Sequence, residues 1–154
     1  MIMNTIRITK QFTFEMAHAL SDYDGLCRNI HGHSYHFDVT VKGTPNNEQN
    51  FPKQGMLIDF KDLKKIVNEE IIYPFDHALL LNQNANADLI KTLQTNYDKI
   101  VVVPFQPTTE NLLAEFARKL QKKLPSQVQL FSMKLRETDR SFAEWYIEDN
   151  LDLE

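Results

Sequence analysis

A chain of 154 residues with a net charge of −4 and a pI near 5.7 fits one domain with its own core, and it lacks the basic balance of a nucleic-acid binder. A single cysteine excludes an internal disulfide and suits a reducing cytoplasm, and no apolar run approaches membrane-spanning length. The stretch Met1 to Lys10 alternates like a strand instead of forming the apolar block of a signal peptide, so the expectation is a soluble, cytoplasmic, single domain over 1–154 with no membrane and no nucleic-acid partner.

In chain order, Ile6, Ile8, Phe12, Phe14, Met16 and His18 share one parity, and Arg7, Thr9, Gln11, Thr13 and Glu15 take the other. This predicts a half-buried strand whose apolar face ends in a histidine. Ser21 to Ile30 reads as a loop. A second strand runs from about Gly32 to Lys42, with His33, Tyr35, Phe37, Val39 and Val41 on the buried face and His36 on the wet one. Asp59 is placed as the N-cap of a helix with a stripe of Leu63, Ile66, Val67 and Ile71, and Pro74 should end it. An apolar run, Ala78 to Leu81, leads into the asparagine-rich segment Asn82 to Asp98, with a short helix near Asp88 to Leu93 and a small strand at Ile100 to Val103.

Pro107-Thr108-Thr109-Glu110 should open a second main helix carrying Leu112, Leu113, Phe116, Ala117, Leu120 and Leu124, stopped by Pro125. Two closing strands follow, one with Phe131, Met133, Leu135 and Glu137 on a face, the other with Ala143, Trp145 and Ile147. The order β-β-α-α-β-β predicts an α+β domain: a four-stranded antiparallel sheet with two main helices on one face and open sheet edges.

Three of the five histidines and the only cysteine lie between His18 and His33. A lone histidine on an apolar face is ordinarily a satisfied core residue. His31 and His33, however, share a strand face, and His18 ends the neighbouring one. Three buried imidazoles without a partner are costly, and a zinc ion bound by them with an open fourth position removes that cost. Cys27 reads either as a fourth, structural ligand or as a free thiol activated beside the metal. Asp76-His77 is either a carboxylate orienting an imidazole or the turn after a helix. Glu137 ends an apolar face, where its carboxylate could accept two hydrogen bonds from an amidine-like edge, or simply be a strand-end charge. Glu110 is either part of the same pocket or a favourable charge in the first turn of a helix.

The run Phe-Glu-Met-Ala-His18, Cys27-x-x-x-His31-Gly-His33, Asp76-His77, Pro-Thr-Thr-Glu110-Asn and Glu137-Thr resembles the 6-pyruvoyl-tetrahydropterin synthase superfamily over nearly the whole chain. The resemblance implies the tunnelling fold (T-fold), with trimers stacked into homohexamers and active sites at subunit interfaces. It implies zinc on His18, His31 and His33, and Cys27 as catalytic thiol with Asp76 and His77 as its proton relay. Glu137 would anchor a pterin ring, with Thr109 and Glu110 beside it.

The implied substrate is 7,8-dihydroneopterin triphosphate. The three residues between Cys27 and His31 resemble the bacterial 6-carboxy-5,6,7,8-tetrahydropterin synthases of the queuosine pathway, zinc-dependent carbon–carbon lyases that release acetaldehyde and triphosphate. The alternatives are the pyruvoyl-forming branch, which eliminates triphosphate, another pterin enzyme of the same fold, and a non-enzymatic zinc-stabilised module.

Overall fold

The structure, a computed structural model, describes residues 4–151. Its frame is one long antiparallel pair, β1 (Ile6–His18) and β2 (His31–Gly43), in unbroken register from Ile6 opposite Gly43 to His18 opposite His31. Side chains alternate with period two, so a slip of one residue would turn the whole apolar set to water. Phe12, Phe14, Met16, Tyr35, Phe37, Val39 and Val41 accordingly share the core face. β5 (Gln129–Thr138) and β6 (Ser141–Tyr146) continue the sheet antiparallel beyond β2.

Two further strands extend the other side. β3 (Ala78–Asn82) pairs parallel with β1, and β4 (Ile100–Val103) pairs parallel with β3, giving a six-stranded mixed sheet in the order β4-β3-β1-β2-β5-β6. The α+β T-fold expectation holds, with the strand count and the all-antiparallel pairing corrected at this edge. The cause lies in the run Ala78-Leu79-Leu80-Leu81, whose unbroken apolar character suits a parallel strand covered on both faces, not an alternating one. Parallel neighbours need a crossover of a dozen or more residues. The asparagine-rich stretch after β3 supplies it, with a helix at Ala87–Asn96 capped by the Asn86 side chain.

The main helices lie on the core face. The first opens as α1 (Phe60–Val67), capped by Asp59, and continues through a π-turn at Asn68–Ile72 into α2 (Tyr73–Phe75). Pro74 was expected to end it but sits inside its last turn. In the widened turn Tyr73 N–H reaches Asn68 O, five residues back, which relieves the clash and the missing donor that a proline imposes on a regular helix. Leu63, Val67, Ile71 and Phe75 therefore all reach the core.

Between them α3 is Ala87–Asn96, and α4 (Thr109–Lys123) buries Leu112, Leu113, Phe116, Ala117 and Leu120 against the same face. A bulge opposite Thr40 and Val41 moves Phe131 off the face expected for it. Leu130 takes the core position, and the Phe131 ring lies 3.8 Å beneath the Arg7 guanidinium on the other side of the sheet. Ile147 is buried from a 3-10 turn, Ile147–Asn150, just past β6. Among the described residues no helix is long and apolar enough to cross a membrane.

Candidate metal centre and pocket

His18 is the last residue of β1 and His31 the first of β2, and they are cross-strand partners. His33 stands two residues along on the same face. One potential ligand atom from each of the three falls within 4.8 Å of the others. His18 is buried, with 2 % of its surface exposed.

Its Nδ1 donates to the carbonyl of Pro107 at 2.7 Å, and His31 Nδ1 donates to that of Asn29 at 2.8 Å. A carbonyl only accepts, so each bond assigns the proton to Nδ1 and leaves Nε2 a bare lone pair. Those two lone pairs then face each other across 3.0 Å. Two acceptors so placed repel unless a cation lies between them, and carbonyl-oriented imidazoles are the usual arrangement around a metal.

His33 Nε2 is buried without a hydrogen bond and lies 3.3 Å from Glu137 Oε1. Burial pushes the His18 and His33 imidazoles below their ordinary pKa, and only in part do Pro107 and Glu137 for His18, or Glu137 for His33, pull them back. Neutral imidazoles are the ligand form. The donor set, three nitrogens with one orphaned, fits zinc with a position left open.

Beside the histidines lies a cavity of about 330 Å³ lined by His18, Tyr23, Cys27, Thr109, Glu110 and Glu137, among others. Glu137 accepts a 2.5 Å hydrogen bond from the Thr109 hydroxyl at its Oε2. Thr109 is buried in the first turn of α4, while Glu110 is exposed at the rim. Cys27 is half-buried in a 3-10 turn, Leu26–Arg28, and its carbonyl is held by the Leu20 amide at 3.0 Å. It lines the cavity but is not one of the gathered metal-binding side chains, which are the three histidines.

Asp76 and His77 sit elsewhere. Asp76 ends α2 and accepts the Glu15 N–H at 2.9 Å; its other oxygen is 3.0 Å from His77 Nδ1. Burial would raise the Asp76 carboxyl, but the Glu15 amide, His77 and Lys99 outweigh it and hold the group below its ordinary value. His77 adopts a left-handed backbone (φ 61°), pinned by its N–H to Glu15 O at 2.6 Å, and its side chain is 75 % exposed. It borders a second cavity with Glu15, Gly32 and Ser34, which His33 also lines. Cys27 and the Asp76-His77 pair are thus not brought together within one chain. Gly32 continues the extended strand, and a Cβ there would meet Met16 O at 3.4 Å, on the side away from the histidines. Its lack of a side chain clears the cavity beside His77.

Sequence reasoning did not single out four groups around the site. Asn29 and Pro107 act through main-chain carbonyls, which no side-chain pattern marks. Gln106 donates to Ser21 O at 2.7 Å, and nothing in its neighbours flags it. The Tyr35 hydroxyl is fully buried and unpaired, with burial and then Glu137 pushing its pKa up; its place directly after the histidines on the core face was the available signal. His36 is exposed on the other face, as expected.

Comparison with known proteins bears on this geometry. The sequence model of a family described as 6-pyruvoyl tetrahydropterin synthase matches residues 7–148. A 6-carboxy-5,6,7,8-tetrahydropterin synthase of Haemophilus influenzae is 39 % identical over 141 residues, covering 90 % of this chain and 97 % of the relative. A 6-pyruvoyl tetrahydrobiopterin synthase of Pongo abelii is 33 % identical over 150 residues, covering 89 % and 88 %. Among solved structures, the 6-pyruvoyl tetrahydropterin synthase of Caenorhabditis elegans superposes with a TM-score of 0.66 at 22 % identity, covering 94 % of this chain and 96 % of that one, a likeness of fold.

Proposed function

The chain belongs to the 6-pyruvoyl tetrahydropterin synthase family, and on that premise we propose that it is a zinc-dependent lyase. It takes 7,8-dihydroneopterin triphosphate and water to 6-carboxy-5,6,7,8-tetrahydropterin, acetaldehyde and triphosphate, a step towards queuosine and other 7-deazaguanines. The observation that carries the reading is the pair of bare Nε2 lone pairs at 3.0 Å, with the orphaned His33 Nε2 beside them, next to a cavity lined by His18, Cys27 and Glu137. Support for the carboxy product comes from the Haemophilus influenzae relative and from the short spacing of Cys27 and His31.

In this reading His18, His31 and His33 hold the zinc, which when bound lowers the pKa of the side-chain hydroxyls of the substrate. Glu137 accepts two hydrogen bonds from the N–H edge of the pterin, and the Thr109 hydroxyl fixes the carboxylate for that task. Glu110 lies at the rim. Cys27 as thiolate takes a proton from the side-chain carbon. His77, oriented by Asp76, relays that proton. His77 is exposed and borders a different cavity, which supports its serving the Cys27 of a neighbouring copy. The homohexamer with sites between subunits, in the cytoplasm, is what the family resemblance implies.

Incubation of the purified protein with dihydroneopterin triphosphate, with zinc determined in parallel, tests the reading: stoichiometric acetaldehyde and 6-carboxytetrahydropterin are expected. A second reading rests on the Pongo abelii relative, in which triphosphate alone is eliminated and the pyruvoyl side chain remains. Triphosphate without acetaldehyde would establish that branch. Zinc binding with no turnover and no affinity for a pterin would leave a structural zinc module.

A further inference from the structure

Two walls of the candidate cavity belong to different parts of the chain, and His18 with residues of β5 and β6 line the rest. One is the loop after β1, contributing Leu20, Tyr23 and Cys27; the other is the entry to α4, contributing Thr108, Thr109 and Glu110. The first wall has little packing of its own. Its 3-10 turn buries no residue, and Leu26, next to Cys27, is 88 % exposed. Its internal hydrogen bonds, such as Leu20 N–H to Cys27 O and Asn29 N–H to Leu26 O, shape the loop without fastening it to the second wall.

Among the described residues, one side chain spans the gap. The Gln106 side-chain amide donates to Ser21 O at 2.7 Å, while its oxygen faces the Asn82 amide at the end of β3, 3.4 Å away. That arrangement leaves the NH2 group only one way to point. Gln106 is itself pinned to the helix entry, because its carbonyl accepts the Thr108 N–H at 2.7 Å and the Asn111 side chain at 2.9 Å. The next residue, Pro107, holds His18, and two residues further Thr109 holds Glu137. A single short segment thus sets the positions of the metal-site histidine and the carboxylate, and through Gln106 it reaches the loop that carries the thiol.

We propose that Gln106 is a positioning residue for Cys27: its amide ties the thiol-bearing loop to the same segment that fixes His18 and Glu137, so that the sulfur meets a bound substrate at the right distance. The inference rests on the reading of Cys27 as the group that moves the proton. Losing about 1 Å of such alignment is enough to slow a reaction severalfold to a hundredfold without weakening ground-state binding.

Gln106→Met keeps the length of the side chain and removes both hydrogen bonds. The experiment compares it with the parent as zinc-loaded protein, measuring zinc per chain, melting temperature, kcat, KM and the rate at which iodoacetamide alkylates Cys27. Zinc content and melting temperature are expected to stay close to the parent values, which shows that the fold and the histidines are intact. kcat should fall about tenfold with KM within about twofold, and alkylation should speed up about fivefold as the freed loop uncovers the sulfur. A kcat or an alkylation rate within about twofold of the parent overturns the inference. Should Gln106→Met unfold, Gln106→Glu, which keeps the shape but sets a charged acceptor oxygen against Ser21 O in place of the donor, carries the same expectations. Failure of the underlying reading looks different: Cys27→Ala would then keep its turnover, while the alkylation rate of Gln106→Met would still report whether the loop had been held.

Discussion

Two histidine-bearing regions meet the same end of β1 and are built in opposite ways. At the core face, His18, His31 and His33 are positioned by strand register; His18 is buried and the other two are half-buried, and carbonyls of Pro107 and Asn29 orient His18 and His31. Everything that shapes this cluster belongs to one chain. The Asp76-His77 turn hangs on the backbone of Glu15, two hydrogen bonds fix its base, and the imidazole itself points out with 75 % of its side chain exposed. A metal cluster must be preorganised and dry to hold neutral ligands close together. A proton relay needs its base fixed but its tip free to meet a partner. The contrast teaches that the first region gathers its side chains within one fold, whereas the second fixes its backbone and leaves its imidazole exposed.

The largest expected effect comes from breaking the first region. In His33→Ala, zinc should be lost and turnover should fall to background, while the protein still folds on the remaining core; inductively coupled plasma analysis beside the acetaldehyde assay reads both. A variant that kept zinc and turnover would remove His33 from the ligand set. Loss here cannot be rescued by mixing with any other variant that lacks zinc, because all three histidines sit in one chain.

The second region should behave otherwise. Cys27→Ala and His77→Ala are each expected to lose on the order of 10²–10⁴ of kcat while retaining zinc. Co-assembled from equal amounts, the two inactive variants should regain about a quarter of wild-type activity, the statistical share of sites that pair an intact cysteine with an intact histidine from another copy. No recovery after demonstrated subunit exchange would show that the two groups do not serve a shared site.

The difference between the regions also decides what could be read before the structure. Strand parity is a robust signal, since register must keep Phe12, Phe14, Tyr35 and Phe37 inside, and the three histidines follow from it. The helix cap at Asp59 and the helix start within Pro107 to Glu110 were legible for the same local reason. Pro74 misled because the π-turn that accommodates it depends on packing Ile71 and Phe75 against the sheet, not on any residue next to it. β3 was ambiguous because an apolar run of that length suits strand or helix equally. Phe131 changed sides through a bulge with no marker of its own. Asp76-His77 could be named but not placed, since adjacency says nothing about a left-handed turn that aims the ring away from Cys27.

A smaller effect tests how the exposed turn is anchored. The Asp76 carboxyl is held below its ordinary value of 3.8, so the folded state favours its charged form. The unfolded chain then binds more protons across the interval between the two values, and stability contributed by Asp76 is present above about pH 4 and lost as pH falls through the folded value. Urea unfolding should therefore find Asp76→Asn less stable than the parent at pH 7, with the gap closing near pH 3. A gap that is unchanged at pH 3 would mean that the carboxylate charge is not what holds the turn to Glu15.

The smallest effect returns to the preorganised side. Thr109 is buried and gives its hydroxyl to Glu137 at 2.5 Å, while the other oxygen of Glu137 lies beside His33. Thr109→Val preserves shape and removes that one donor. The carboxylate then keeps its charge but loses the constraint that aims it into the cavity, so KM or the Kd for a pterin should rise about threefold to tenfold, the worth of one hydrogen bond to a charged group that solvent partly replaces. kcat and zinc content should hardly move, because neither the histidines nor Cys27 touches the hydroxyl. Thr109→Ser keeps the donor and should bind as the parent does. If Thr109→Val bound pterin normally, the hydroxyl would not be what aims the carboxylate, and Glu137 would owe its orientation to the strand end and not to the helix that carries Thr109.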